Sequence, residues 1–249
     1  LQREAAATGR LELEREARRC ERQERAVWRA VDLVLYPSAE EADEVRTLEP
    51  GVAARALLPY AFDGFRDTED VAGRDGILFV AGFAHPPNVD AATWLVTEVM
   101  PRVWARHPRT RLSLVGSSPS DEVKALAGER VEVTGYVDDA ELARRYAHAR
   151  VAAVPLRYGA GIKGKVVEAL QQGVPLATTT VGAQGLDRLD AVTAVQDDAR
   201  GMAEAIVRLL EDDAAWRRQS REGARYAAER FSRAALRAQM EKAMDGGGP

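Results

Sequence analysis

Residues 157–175, RYGAGIKGKVVEALQQGVP, set Gly159, Ala160 and Gly161 just ahead of Lys163 and Lys165, where a helical pattern begins. The N-terminus of a helix is already the positive end of its dipole, so cations belong there only if an anion joins them. The small residues let a ligand come close to backbone N–H groups, and such groups at a helix start attract phosphate. Lys163 and Lys165 add point charges suited to two neighbouring phosphates. Glu168 lies three residues beyond Lys165 and projects from nearly the same side of the helix. A carboxylate does not favour phosphate, but it accepts hydrogen bonds well from the vicinal hydroxyls of a ribose. Glycines, cations and then a carboxylate therefore read as a diphosphate followed by a ribose. The competing reading is a surface ion pair between Lys165 and Glu168, worth a few tenths of a kcal/mol. Spacing alone does not choose between them. GAGIKGK lacks the spacing and the metal-binding hydroxyl of a Walker A loop, and GFAHPPN (82–88) lacks the Gly-x-Gly-x-x-Gly of a dinucleotide fold, which argues against a nicotinamide dehydrogenase.

The elements that must hold these residues are regular from residue 77 on. ILFVAGF (77–83), RLSLVGS (111–117), VEVTGYV (131–137), VAAVPL (151–156) and VPLATT (174–179) read as strands. Helical stretches alternate with them: 88–107 with Asn88 as its N-cap, DEVKALAG closed by Gly128, DAELARRYAHA, and KVVEALQQG ended by Gly173. Apolar strands alternating with helices predict a parallel sheet covered on both faces. In such a sheet ligands sit beyond the carboxyl ends of the strands, so GFAHPPN, GYVDD (135–139) and RYGAGIKGK are expected on one rim around one ligand. From about residue 201 the chain reads as helix, GMAEAIVRLLEDDAAWRRQSREGARYAAERF and then SRAALRAQMEKAM, with DGGGP as a frayed tail.

The first 65 residues differ. Residues 1–30 form an amphipathic helix whose thin apolar stripe runs through Leu13, Ala17, Cys20, Val27 and Val31. VDLVLYPS (31–38) reads as a buried strand, Ser38 with Glu41 as a capping box for the next helix, and ARALLPY (54–60) as a second strand expected to pair with the first. Residues 61–76 lack periodicity and read as a linker. The expected division is a remnant of an N-terminal domain at 1–65, a ligand-binding domain at 66–232, and a C-terminal helix with its tail at 233–249.

The 249 residues carry a formal charge of −4, one cysteine and no apolar run long enough to span a bilayer. There is thus no electrostatic case for nucleic acid, no internal disulfide and no multi-cysteine metal site. The chain begins at Leu1 rather than Met, as expected of a fragment or a trimmed protein, and a soluble, reducing-compartment protein is the default reading.

GAGIKGKVVEALQQGVPLATTTVGAQGL (159–186), with ILFVAGFAHPPNVDAATWL upstream and VEVTGYVDDAELARRYAHARVAAVPL between, resembles the donor half of the retaining glycosyltransferases of family 4, which have the GT-B fold. The likeness covers roughly residues 76–232 in order. It implies two Rossmann-like domains facing across a cleft, of which this chain holds the nucleotide-sugar-binding one and the end of the other, with LLPYAFDGF (57–65) at the crossover. By position, Glu168 matches the second carboxylate of the family's Glu-x7-Glu motif, which takes the ribose hydroxyls. Lys163 and Lys165 fall where a cation faces the diphosphate, Gly82 where the first loop passes under the phosphates, and Tyr136 and Val137 where backbone groups meet the base. Two departures stand out: the first carboxylate is Ala160 here, and the Arg/Lys pair of the first loop is replaced by FAHPPN. Both touch sugar specificity more than nucleotide binding.

The resemblance implies sugar transfer from a nucleoside diphosphate sugar to a glycan, lipid or other acceptor, without a metal or cofactor. The expected setting is cytoplasmic, with or without peripheral attachment to the inner face of a membrane, and a missing N-terminal domain or partner chain would complete the enzyme. Two other readings stay open: a nucleotide-binding module without turnover, and an epimerase of the same shape, for which the rim offers no carboxylate pair. No residue is singled out as catalytic. His85 reads as a loop residue, His107 and His148 as helix-end residues, Asp138 and Asp139 as the first turn of a helix, and Trp28, Trp94, Trp104 and Trp216 as packing.

Overall fold

The computed structural model describes residues 11–66 and 70–245. They form two compact units, one of the residues up to Leu58 together with those from Gln239 on, the other of Pro59–Ala238. The expected start of the first helix at residues 1–10, the side chain of Leu13 and the tail beyond Asp245 lie outside the described residues.

In the first unit, helix α1 (Leu11–Trp28) precedes strand β1 (Val34–Tyr36), helix α2 (Ala39–Leu48) and strand β2 (Ala54–Ala56). The two strands pair in parallel, Val34 opposite Ala54 and Tyr36 opposite Ala56, as expected of 31–38 and 54–60 but over three residues each. Trp28, Ala42, Val45 and Ala54 form the core of this unit, and Trp28 Nε1 donates to Tyr36 Oη at 2.8 Å. The Glu41 amide donates to Ser38 Oγ at 3.2 Å and that hydroxyl donates to the Glu41 carboxylate at 3.1 Å, so the expected cap is present. The apolar stripe of α1 is displaced. Ala17 and Trp28 are buried whereas Val27 and Val31 are 56% and 47% exposed. Val27 lies about 100° around the helix from Trp28, and Val31 comes after the helix has ended.

The second unit is built on a six-stranded, wholly parallel sheet. Its strands are β3 (Asp75–Val80), β4 (Leu112–Val115), β5 (Val131–Val133), β6 (Ala149–Val154), β7 (Leu176–Thr178) and β8 (Ala194–Val195), in the order β5-β4-β3-β6-β7-β8. The order reverses between β3 and β6, the central pair, where Ile77, Leu78 and Phe79 and the whole of β6 are buried. The expected α/β class, a Rossmann-like parallel sheet with helices packed on it, is thus observed.

Several boundaries move. Helix α3 (Pro86–Trp94) starts before Asn88, with His85 at the N-cap and no side-chain cap. Pro86 and Pro87 have φ preset for a first turn and no N–H to leave unpaired, so they start the helix and free Asn88 for other work. A π turn at Leu95–Val99 leads into helix α4 (Met100–Arg106), where Pro101 has no N–H for the regular pattern. Helix α5 (Asp121–Lys124) is a single turn, helix α6 (Asp139–His148) is capped by Asp138, and helix α7 (Gly164–Gln171) follows the lysine loop. A short helix α8 (Thr180–Ala183) follows β7. The long C-terminal helix divides at Asp212, which ends α9 (Ala199–Glu211) and caps α10 (Asp213–Phe231) by accepting from the Ala215 amide at 2.9 Å. Trp216 of α10 is fully buried, and its Nε1 donates to the Arg150 carbonyl at 2.6 Å. Helix α11 (Arg233–Met244) closes the chain. None of the described helices is long and apolar enough to cross a membrane.

Candidate functional site

The reversal of strand order between β3 and β6 opens a crevice at their carboxyl ends, the place where open parallel sheets hold ligands. The loops that leave these two strands are 81–85 and 155–163.

In the second loop Gly159 and Gly161 have φ of +132° and +73°, backbone that side chains rarely tolerate, so both glycines are there for conformation. Ala160, exposed, stands between them. Lys163 occupies the N-cap position of α7 and is only 9% exposed; its ammonium donates to the Gly161 carbonyl. The amides of Gly164 and Lys165, in the first turn, meet no acceptor among the described residues, as the geometry of a helix start dictates.

Lys165 reaches across the crevice. Its ammonium donates to Asn88 Oδ1 and lies 5.4 Å from the centre of the Phe79 ring. Asn88, 6% exposed, in turn donates from Nδ2 to the Gly82 carbonyl at 2.7 Å. The first loop and the start of α7 are therefore tied together through one amide side chain. Burial, with the nearby Lys163 charge, lowers the Lys165 pKa to about 8. Glu168, half-buried on α7, accepts from the Tyr146 hydroxyl at 3.1 Å. Burial pushes its carboxyl up, against the downward pull of that hydrogen bond, and the Asp139 charge adds to the rise. Lys165 and Glu168 form no ion pair: one turns to Asn88, the other to Tyr146.

Gly82 is exposed, and a Cβ there would meet nothing closer than Ser117 Oγ at 3.7 Å, so no crowding within the chain demands glycine. The third loop is joined to the first through the loop after β4: Phe83 N donates to Ser117 O at 2.9 Å and Gly116 N to Gly135 O at 3.1 Å. Tyr136 is 79% exposed and Val137 is half-buried. A cleft of about 540 Å³ opens beside the first loop, between Phe83, Pro86 and Asp90 on one side and Ser118, Ser120 and Tyr158 on the other.

His85 is exposed at its N-cap, and His107 and His148 stand at helix ends. Sequence reasoning missed three residues: Asn88, Tyr146, and Tyr60, whose hydroxyl would lie 3.3 Å from a Cβ on Gly164 at the start of α7. Asn88 and Tyr146 are polar groups at positions that an amphipathic pattern assigns to the interior, a signal in principle, but neither partner is near in sequence.

A doubly wound sheet with an amide-rich helix start and two lysines at its switch point defines a Rossmann-like α/β unit. The family model described as Glycosyl transferases group 1 matches residues 74–212, more than half of the chain, which belongs to that family. The expected likeness to GT-B glycosyltransferases holds. The chain is 31% identical over 148 residues to the phosphatidyl-myo-inositol mannosyltransferase of Mycolicibacterium smegmatis, covering 55% of this chain and 36% of that one. It superposes on sucrose-phosphate synthase from Thermosynechococcus elongatus with a TM-score of 0.68 at 25% identity, over 88% of this chain and 59% of the other. Alr3699/HepE of Anabaena, solved with UDP and glucose, shares the fold at a TM-score of 0.64 and 16% identity, over 87% and 63% of the two chains. The chain matches between 36% and 49% of the length of such curated relatives.

Proposed function

We propose that Pro59–Ala238 binds the nucleoside diphosphate part of a sugar donor and that the chain is the donor side of a glycosyltransferase. The observation that carries this is the placing of Lys163 and Lys165 at the switch point, with Glu168 turned to Tyr146 rather than paired with Lys165. Phosphates would lie against the first turn of α7 between the two ammonium groups, and the ribose would lie at Glu168. As the sugar–phosphate bond breaks, the departing diphosphate gains charge that the helix start and both lysines can stabilise. In this reading transfer is retaining and needs no metal or cofactor. Residues 1–65 are the end of an acceptor-side domain, 66–232 the donor domain and 233–249 a closing helix and tail.

That a neighbour of the same fold is solved with UDP and glucose supports a nucleotide sugar as the donor. The acceptor is a glycan or a lipid; the name of the mannosyltransferase relative specifies a lipid for that protein. A lipid acceptor would put the chain at the cytoplasmic face of a membrane, as a peripheral protein. The partial coverage of its relatives favours a second reading, a nucleotide-binding module that turns over only with a further domain or partner chain.

The test is thermal unfolding with UDP, GDP, ADP and dTDP, followed by transfer assays with the sugar of the best binder. A ligand at a hundred times its Kd should stabilise the fold by about 2.7 kcal/mol. No shift with any of the four would end the donor reading. A shift without turnover selects the module.

A further inference from the structure

Tyr146, 1% exposed, is the buried residue of α6, a helix whose other polar side chains are half-buried or exposed. A phenol at such a depth needs a partner for its hydroxyl, since a buried polar group left unpaired is costly. The partner is Glu168 Oε2 at 3.1 Å. Among the described residues this is the only hydrogen bond Glu168 makes through its side chain, and Oε1 accepts none. A phenylalanine would fill the same space, so the hydroxyl serves the carboxylate.

We infer that Tyr146 is a positioning residue for Glu168: it holds Oε2 from beneath and leaves Oε1 to accept from a ribose hydroxyl. This rests on the reading of Glu168 as the ribose acceptor. The bond fixes the rotamer of a side chain that has no other anchor. It also favours the ionised carboxylate, the form with full capacity to accept. Burial and the charge of Asp139, from the first turn of α6, oppose it, and Lys165 on the same helix is engaged elsewhere. Those are the groups that act on the Glu168 charge.

The experiment compares the parent chain with Tyr146→Phe, Glu168→Gln and the double variant. Calorimetry with uridine, guanosine, adenosine and their 5′-diphosphates is run from pH 5 to 8, with inorganic pyrophosphate as the control. In Tyr146→Phe the nucleoside that binds and its diphosphate should weaken by the same factor, roughly tenfold for a hydrogen bond to a charged group. The pH midpoint of binding should move upward, because the carboxyl loses the bond that held its pKa down. Pyrophosphate binding should not change. In the Glu168→Gln background the phenylalanine should make no further difference. A readout without ligand stands beside these: with tyrosine labelled at ¹³Cζ, the Tyr146 resonance should titrate with Glu168 in the parent and lose that titration in Glu168→Gln. Parent-like affinity and pH midpoint in Tyr146→Phe, an equal further loss in the double variant, or a Tyr146 resonance insensitive to acid would each overturn the inference. Undiminished nucleoside affinity in Glu168→Gln would sink the ribose reading instead, while the resonance would still report the Tyr146–Glu168 coupling.

Discussion

Lys165 is under two opposing demands in the proposed function: half-buried against Phe79 and near a second cation, it would have to keep its charge to hold a phosphate. With its pKa lowered to about 8, the ammonium of the free protein loses its proton as pH rises through that value. Diphosphate affinity should therefore fall between pH 7 and 9, and binding near pH 8 should take up protons, which calorimetry in buffers of different ionisation enthalpy measures. Lys165→Ala should abolish the slope, and Lys165→Arg should keep binding alkali-resistant, since guanidinium stays charged. The stability linkage has the opposite sense. The unfolded chain keeps the lysine proton up to its ordinary value of 10.5, so between about 8 and 10.5 it binds more protons, and this residue makes stability rise with pH. Lys163→Ala and Lys165→Ala should each weaken nucleoside diphosphate binding by about 1.5–3 kcal/mol and leave the free nucleoside unaffected. Equal loss for both ligands would show that neither lysine faces phosphate.

At the level of elements, the rim depends on how closely β3 and β4 leave the sheet together. Gly116, after β4, has φ of +148°, and a Cβ there would fall 1.8 Å from the Ala81 carbonyl oxygen. Gly116→Ala must either move the backbone of the first loop or unfold it. Its expected cost is about 2 kcal/mol or more in chemical denaturation, with weaker nucleotide binding in whatever remains folded. Such a need for glycine is invisible in VGSSP, because it arises from a strand thirty-five residues earlier. The strands themselves were legible, since the apolar runs Ile77–Val80 of β3 and Val151–Val154 of β6 are buried or nearly so on both faces. Strand β8, two residues long, offers too little chain for any period to show. The site was half legible for the same reason. The glycines, lysines and Glu168 stand together in one loop and one helix, whereas Asn88 and Tyr146 come from other parts of the chain. Asn88 also matched a local rule, the N-cap, that the two prolines before it had already met.

For the whole molecule, the fold around the site is contained in Pro59–Ala238, including every residue that ties the two loops to α7. That segment expressed alone should unfold cooperatively and keep the thermal shift that the full chain shows with its nucleotide; loss of the shift in a folded segment would assign part of the binding to residues outside it. The other unit is assembled from both ends of the chain: the Leu58 amide donates to Gln239 Oε1 at 3.0 Å, and the Arg55 guanidinium donates to the Ala243 carbonyl. This arrangement dictates an order during synthesis. As the chain leaves the ribosome, α1, β1, α2 and β2 precede the turn of helix that closes their unit by the 180 residues of Pro59–Ala238. The closing residues of the first unit therefore lie on the far side of Pro59–Ala238, so cutting the chain after Ala238 should strip that unit of its last helical turn while leaving the sequence of the second intact.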